Sequence, residues 1–174
     1  MEEQMSPEKT AFLTFVRTGE FGVIQPEMDV DTVNALLPGC DYRVDPPCIF
    51  LIGSNIEITF EHDRMTQGRV RFTPCEIDPW TLELAPWFVW LGTTAMDRIE
   101  QLLQYEKVGY RRLLLTDDAY VIEFAHVPIR LLYDEKQQID KVFRLYDELH
   151  PLRSHLLVDV KTFTPEDAEG NQET

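Results

Sequence analysis

An internal repeat limits this chain's architecture more than any other feature. Ile49–Phe60 aligns without a gap on Leu113–Phe124. Each stretch is an apolar run, a short polar break (Gly53-Ser54 in one, Asp117-Asp118 in the other) and an alternating strand ending in Phe. Ahead of each lies a helical stripe: Val30, Val33, Leu36 and Leu37 in the first, Met96, Ile99, Leu102 and Leu103 in the second. A unit that recurs this way is one supersecondary motif that buries its apolar face against its copy. The pattern predicts an α+β fold: two tandem copies of helix plus antiparallel β-hairpin or meander, with the helices packed on one face of the sheet. Residues 1–73 would form the first copy with an added N-terminal helix, 74–93 an apolar connector and 94–164 the second copy. Residues 165–174 read as a disordered acidic tail.

Local signals fill in this frame. Ser6-Pro7-Glu8 reads as an N-cap, a first-turn proline and an acid at the positive end of a helix dipole. Phe12, Phe15 and Val16 give that helix one apolar face, and Gly19 stops it. Asp29 can cap a second helix, with Met28 stapled onto Val33 and Pro38-Gly39 ending it. Residues 40–48, carrying Pro46-Pro47, read as a loop. Ile56, Ile58 and Phe60 alternate with Glu57, Thr59 and Glu61, the period of a half-buried strand. Gly68 reads as the opening of another, Arg69–Phe72.

The connector holds Trp80, Leu82, Leu84, Trp87, Phe88, Trp90 and Leu91, broken by prolines. It should pack across both halves or form an edge strand interrupted at Pro86. A helix near 95–106 follows, then strands near 111–116 and 119–125. Ile129–Tyr133 and Ile139–Tyr146 flank the turn Asp134–Gln138, and Leu156–Val160 could be a last edge strand.

Composition narrows the function. The 174 residues carry a formal net charge of −15, with 16 basic against 31 acidic side chains. Glu166, Asp167, Glu169 and Glu173 all follow the last base, Lys161, and −15 without those four is −11, so the body itself is acidic. Such a balance argues against nucleic-acid or anionic-membrane binding, which needs Lys and Arg to displace counterions, and it steers basic partners. No run approaches the ~20 apolar residues of a membrane span, and the acidic N-terminus lacks a signal peptide's basic flank and apolar core, so a cytoplasmic location is expected. Cys40, Cys48 and Cys75 are too few and too irregular for a disulfide framework or a zinc site, and read as free thiols.

The stretch Phe15–Met28, then Val33–Pro38, with Ile52-Gly53 and Ile56–Phe60 behind them, resembles a pattern in small bacterial proteins: a short helix, a Gly-rich step, Pro-x-Met, a capped helix, then paired strands. Some members resemble immunity proteins encoded beside secreted toxins. The same helix-then-hairpin logic, doubled, resembles the β-lactamase-inhibitor protein and, as single copies, the small outer-membrane assembly lipoproteins. The resemblance covers roughly residues 10–72 well and 94–133 weakly, by apolar periodicity and capping signals. Pro38 stands where the pattern often has Gly, Ile52 where it often has Tyr, and Asn55 is an added residue. It implies a cytoplasmic, non-catalytic inhibitor of a toxin or enzyme.

The residues offer little chemistry of their own. Glu61-His62-Asp63 sets a histidine between carboxylates, but neighbours on a strand point to opposite faces. His126 occupies the related place in the second copy, and both read as turn or surface residues. His150 and His155, near Asp147 and Glu148, straddle Pro151 without the helical spacing of a metal site. Gly53-Ser54 is a turn and not a nucleophile elbow. Cys48 and Cys75 lack an activating basic cluster, and Gly19-x-x-Gly22 falls far short of a phosphate cradle. No catalytic residue, metal site or cofactor is predicted.

Binding is the better prospect. Glu57, Glu61 and Asp63 on one hairpin, Asp117 and Asp118 on another, and Asp134-Glu135 could present a negative surface to a basic protein. Trp87 and Trp90 would be its aromatic anchors, unless the Trp80–Trp90 run is inter-repeat core. Tyr42, Tyr110 and Tyr120 are milder candidates. The leading expectation is an acidic immunity- or inhibitor-like protein that neutralises a basic toxin or enzyme. A self-associating structural module, and a small-ligand binder or enzyme with a site between the repeats, are the alternatives.

Overall fold

The computed structural model describes residues 4–72, 77–78, 80–115, 118–145 and 158–168. Helix α1 (Pro7–Thr18) begins where the Ser6 hydroxyl accepts the Lys9 amide and ends where Gly19, in the left-handed region, donates its amide to the Phe15 carbonyl. Helix α2 (Val30–Leu36) begins at Asp29, whose carboxylate accepts the Thr32 amide. Each cap satisfies an amide the helix cannot reach and contributes about 1 kcal/mol.

Four strands follow: β1 (Asp41–Asp45), β2 (Cys48–Ile52), β3 (Ile56–Glu61) and β4 (Arg64–Arg71). Residues 40–48 are therefore not a loop. Pro46-Pro47 is the two-residue turn of a β1–β2 hairpin, where the missing amide donors cost no pairing. All of β1 is exposed, so it carries no alternation to betray it. Gly68 does not open a strand either; it lies inside β4, opposite Ile58. Gly53 sits between β2 and β3, where the Trp80 ring and the Asp78 carboxylate approach so closely that a side chain would collide with them.

The connector is helical where it is described. Of the two expectations, a segment packed across both halves or an edge strand, the second does not hold: helices α3 (Thr81–Leu84) and α4 (Phe88–Gly92) stand there, with Leu84, Ala85, Trp87, Phe88 and Leu91 buried. Helix α5 (Met96–Tyr105) then leads into β5 (Tyr110–Leu114), β6 (Tyr120–Phe124), β7 (Ile129–Tyr133) and β8 (Ile139–Leu145). The last strand, β9 (Val158–Phe163), lies slightly later than expected, and Pro165–Ala168 form a 3-10 turn instead of starting a disordered tail. Residues 169–174 lie outside the described set, as do Cys75, Asp147, Glu148, His150 and His155.

All nine strands join one antiparallel sheet in the order β1-β2-β3-β4-β8-β7-β6-β5-β9. Two meanders thus meet at β4 and β8, with Val70 opposite Val142 at the seam. The self-alignment lays β2–β3 on β5–β6, whereas counting outward from the seam sets β3 against β7 and β2 against β6. One cluster of buried side chains unites α1, α2, α3, α4 and α5 with Leu51, Ile56, Ile58, Phe60, Val70, Val142, Leu131, Ile122 and Tyr110 of the strands. Burying each large apolar side chain stabilises the fold by roughly 1.5–3 kcal/mol.

Candidate functional site

On the strand face turned away from that cluster, one row of cross-strand neighbours spans the sheet. It runs Asp41, Ile52, Glu57, Arg69, Phe143, Arg130, Glu123, Arg111, Thr162. Opposite charges directly across a strand pair attract, and here they close. Arg69 reaches Glu57 at 2.5 Å. Glu123 bridges two guanidiniums, Arg111 at 2.5 Å and Arg130 at 2.7 Å. Burial alone would raise the Glu123 carboxyl, but the hydrogen bonds and charges of Arg111 and Arg130 outweigh it and hold the group below its ordinary range. Leu113, Val121 and Phe143 on the same face are also buried, so the face is not a bare polar surface.

The acidic residues singled out in the sequence are not gathered into one patch. Glu57 is committed to Arg69. Glu61 lies on the same face one strand end further on, and Asp63 is exposed in the β3–β4 turn beside His62, both in the left-handed region that two-residue hairpin turns require. Strand alternation puts that turn at one end of the strands and the β5–β6 turn, with exposed Asp118, at the other. Asp117 lies outside the described residues. What Asp118 does join is the β7–β8 turn, whose exposed Asp134 and Glu135 share its end of the sheet. These two turns sit about two strand spacings apart, roughly 10 Å. They share it because β5, β6, β7 and β8 form one antiparallel meander, whereas the placing of the Asp63 turn at the other end depends on β8 pairing with β4.

The aromatic anchors separate as well. Trp87 is 2% exposed and stacks on Phe15 at 4.7 Å between ring centres, so it is core. Trp90 is half-buried against Phe12 and lines a groove of about 430 Å³ with Met5, Lys9, Arg98, Leu102 and Tyr105. Trp80 donates its indole N–H to the Pro38 carbonyl. Tyr110 is buried, Tyr120 lies under the Arg112 guanidinium, and Tyr42 is exposed on β1.

The two described histidines do not converge. His62 and His126 occupy turns at the same end of the sheet, three strand spacings or roughly 14 Å apart, with both side chains exposed. Burial, with the charge of Asp78 adding to it, pushes the Cys40 thiol up to about 11, away from thiolate reactivity. Among the described residues no group of three or more His, Cys, Asp or Glu could hold a metal ion.

Sequence reasoning missed one convergent titratable cluster. Glu100 of α5, 4% exposed, meets Arg112 of β5 at 3.1 Å and Lys161 of β9 at 4.0 Å. Tyr110 accepts a hydrogen bond from Gln104, and Tyr133 is wholly buried with no partner for its hydroxyl among the described residues. Burial pushes Tyr110 up to about 12 and Tyr133 higher still, with the Glu100 charge adding to both. Solvent does not reach Tyr133, and Glu100 is nearly closed off, so the cluster ties α5, β5 and β9 together and offers a substrate no approach. The only hint in the sequence was an acid next to Ile99 in an apolar stripe.

The described elements define an α+β protein built on a nine-stranded open antiparallel sheet. Comparison with protein-family models, curated proteins and solved structures finds no match. No helix among the described residues is long and apolar enough to cross a membrane.

Proposed function

We propose that this chain is a non-catalytic protein-binding protein of the immunity or inhibitor kind, which neutralises a basic toxin or enzyme. The observation that carries this reading is the placement of charge. Across the sheet, arginines pair with carboxylates in the row from Glu57 to Arg111. Exposed acids stand on the helices, on the edge strands β1 and β9 and in the turns, and those of the β5–β6 and β7–β8 turns, Asp118, Asp134 and Glu135, come together at one end, with Lys136 among them. A net charge of −15 would then steer a basic partner towards that end, raising the association rate and excluding acidic competitors.

The same reading treats the chain as a doubled helix-plus-meander with its helices on one face. The matched burial of Val30 with Met96, Val33 with Ile99 and Leu37 with Leu103 supports it. So does the single cluster shared by the helices and one set of alternating strand residues. The self-associating alternative draws on β9, an edge strand with Val158 and Val160 exposed, since an unpaired edge can template another chain.

The test is capture from the source cell at low salt followed by elution at high salt. One basic protein, released by salt and rebinding at 1:1, is the expected result. Recovery of the chain alone, with a mass that rises with concentration, would transfer the function to self-association.

A further inference from the structure

The groove beside Trp90 has a chemistry unlike the rest of this acidic molecule. Its walls come from the start of α1 (Met5, Lys9), from α4 (Trp90) and from the exposed side of α5 (Arg98, Leu102, Tyr105). Tyr105 is 75% exposed and Met5 38%, a large share for side chains that gain by leaving water. The charged groups of the lining are both cationic. Among the described residues the Arg98 side chain, like those of Arg64 and Arg71, makes no hydrogen bond or ion pair, whereas Arg17, Arg69, Arg111, Arg112 and Arg130 each meet a carboxylate; of the three, Arg98 is the one that lines the groove. The groove's volume of about 430 Å³ falls in the range of small-molecule sites, and its lining is half apolar (Met5, Trp90, Leu102, Tyr105) and half polar, with Thr94 and Gln101 beside the two cations.

We infer that this groove binds a small organic anion with a flat apolar body. The body lies between Trp90, Leu102 and Tyr105, and the carboxylate meets the Arg98 guanidinium, which suits a planar two-oxygen acceptor. The inference is independent of the protein-partner reading, because the acidic turns and this groove are built from different elements.

The experiment titrates the full chain with 4-phenylbutanoate and, separately, with its uncharged amide, following binding heat and melting temperature. The acid should saturate one site and raise the melting temperature. The amide should bind about tenfold more weakly, the difference a charged hydrogen bond makes. Arg98→Gln should bring the acid down to the level of the amide and leave the amide unchanged. Tyr105→Ala should weaken both, and Arg64→Gln, an exposed arginine on the β3–β4 hairpin, should weaken neither. Equal binding of acid and amide, no saturable binding of the acid at millimolar concentration, or indifference to Arg98→Gln would each overturn the assignment. A concentration-dependent dimer abolished by Tyr105→Ala would also overturn it, giving the groove to a second copy of the chain.

Discussion

Glu123 and Tyr133 show how far single side chains set the stability of this protein. Glu123 holds two guanidiniums, and Arg130 is only 8% exposed, so removing the carboxylate takes this counter-charge away from a nearly buried arginine. Glu123→Ala should cost roughly 2–3 kcal/mol in urea denaturation, somewhat under the figure for a fully buried pair because Glu123 keeps some contact with water. Its folded carboxyl titrates below the ordinary value of 4.5. The stabilisation is therefore complete above 4.5 and is lost as pH falls through the lower folded value; Glu123→Gln should flatten the acid limb of the stability curve.

Tyrosine acts at the alkaline end. Tyr110 is raised from 10.0 to about 12, so its contribution is full below 10 and is lost as pH rises through 12. Tyr110→Phe should remove that part of the alkaline loss. Tyr133 carries a buried hydroxyl without a partner among the described residues, and Tyr133→Phe should raise stability by about 1 kcal/mol, read as a higher urea midpoint with unchanged slope.

The elements differ in how much of them the sequence announces, and helix ends are the clearest case. Ser6, Gly19 and Asp29 each do locally what their residue type does in any helix, so α1 and α2 were legible, as were the alternation of β3 and the apolar runs of β2, β6 and β7. Helix α5 has Ala95 at its N-cap position, in the extended conformation a cap needs but with no side chain to accept an amide. Ala95→Ser should stabilise the protein by about 1 kcal/mol and raise its melting temperature. Strand β1 is not legible because a wholly exposed strand has no apolar period, and β4 is legible only over Arg69–Arg71, because Gly68 reads as a strand's start until its pairing with Ile58 is known. The α3–α4 segment has aromatics without a period; Trp87 is core, stacked on Phe15, while Trp80 and Trp90 are only partly buried against it. Trp87→Ala should cost about 3–5 kcal/mol by thermal or urea unfolding, while Trp87→Phe should cost much less and leave partner binding intact.

At the scale of the whole molecule, the sheet order decides what charge can do. β8 joins β4 to β7, which sends the β3–β4 turn with Asp63 to one end of the strands and the β5–β6 and β7–β8 turns to the other. A sequence shows which acids are in turns, but not which turns share an edge, because that depends on pairings between segments some 70 residues apart, such as Arg69 with Phe143. The candidate site was therefore legible as composition and not as geometry.

The account's central claim is that an acidic edge steers a basic partner, and the association rate across ionic strength tests it most directly. The rate would be measured by stopped flow with the salt-eluted partner. Asp118→Asn with Glu135→Gln removes two of the three exposed acids named at one end; Asn is chosen because Asp118 has a positive φ that Asn tolerates. Glu61→Gln with Asp63→Asn neutralises the other end as a control. The account predicts a rate that falls steeply with salt, and roughly tenfold slower association at low salt for the first variant. The control should stay close to wild type. Rates indifferent to salt, or equally slowed by both variants, would contradict it.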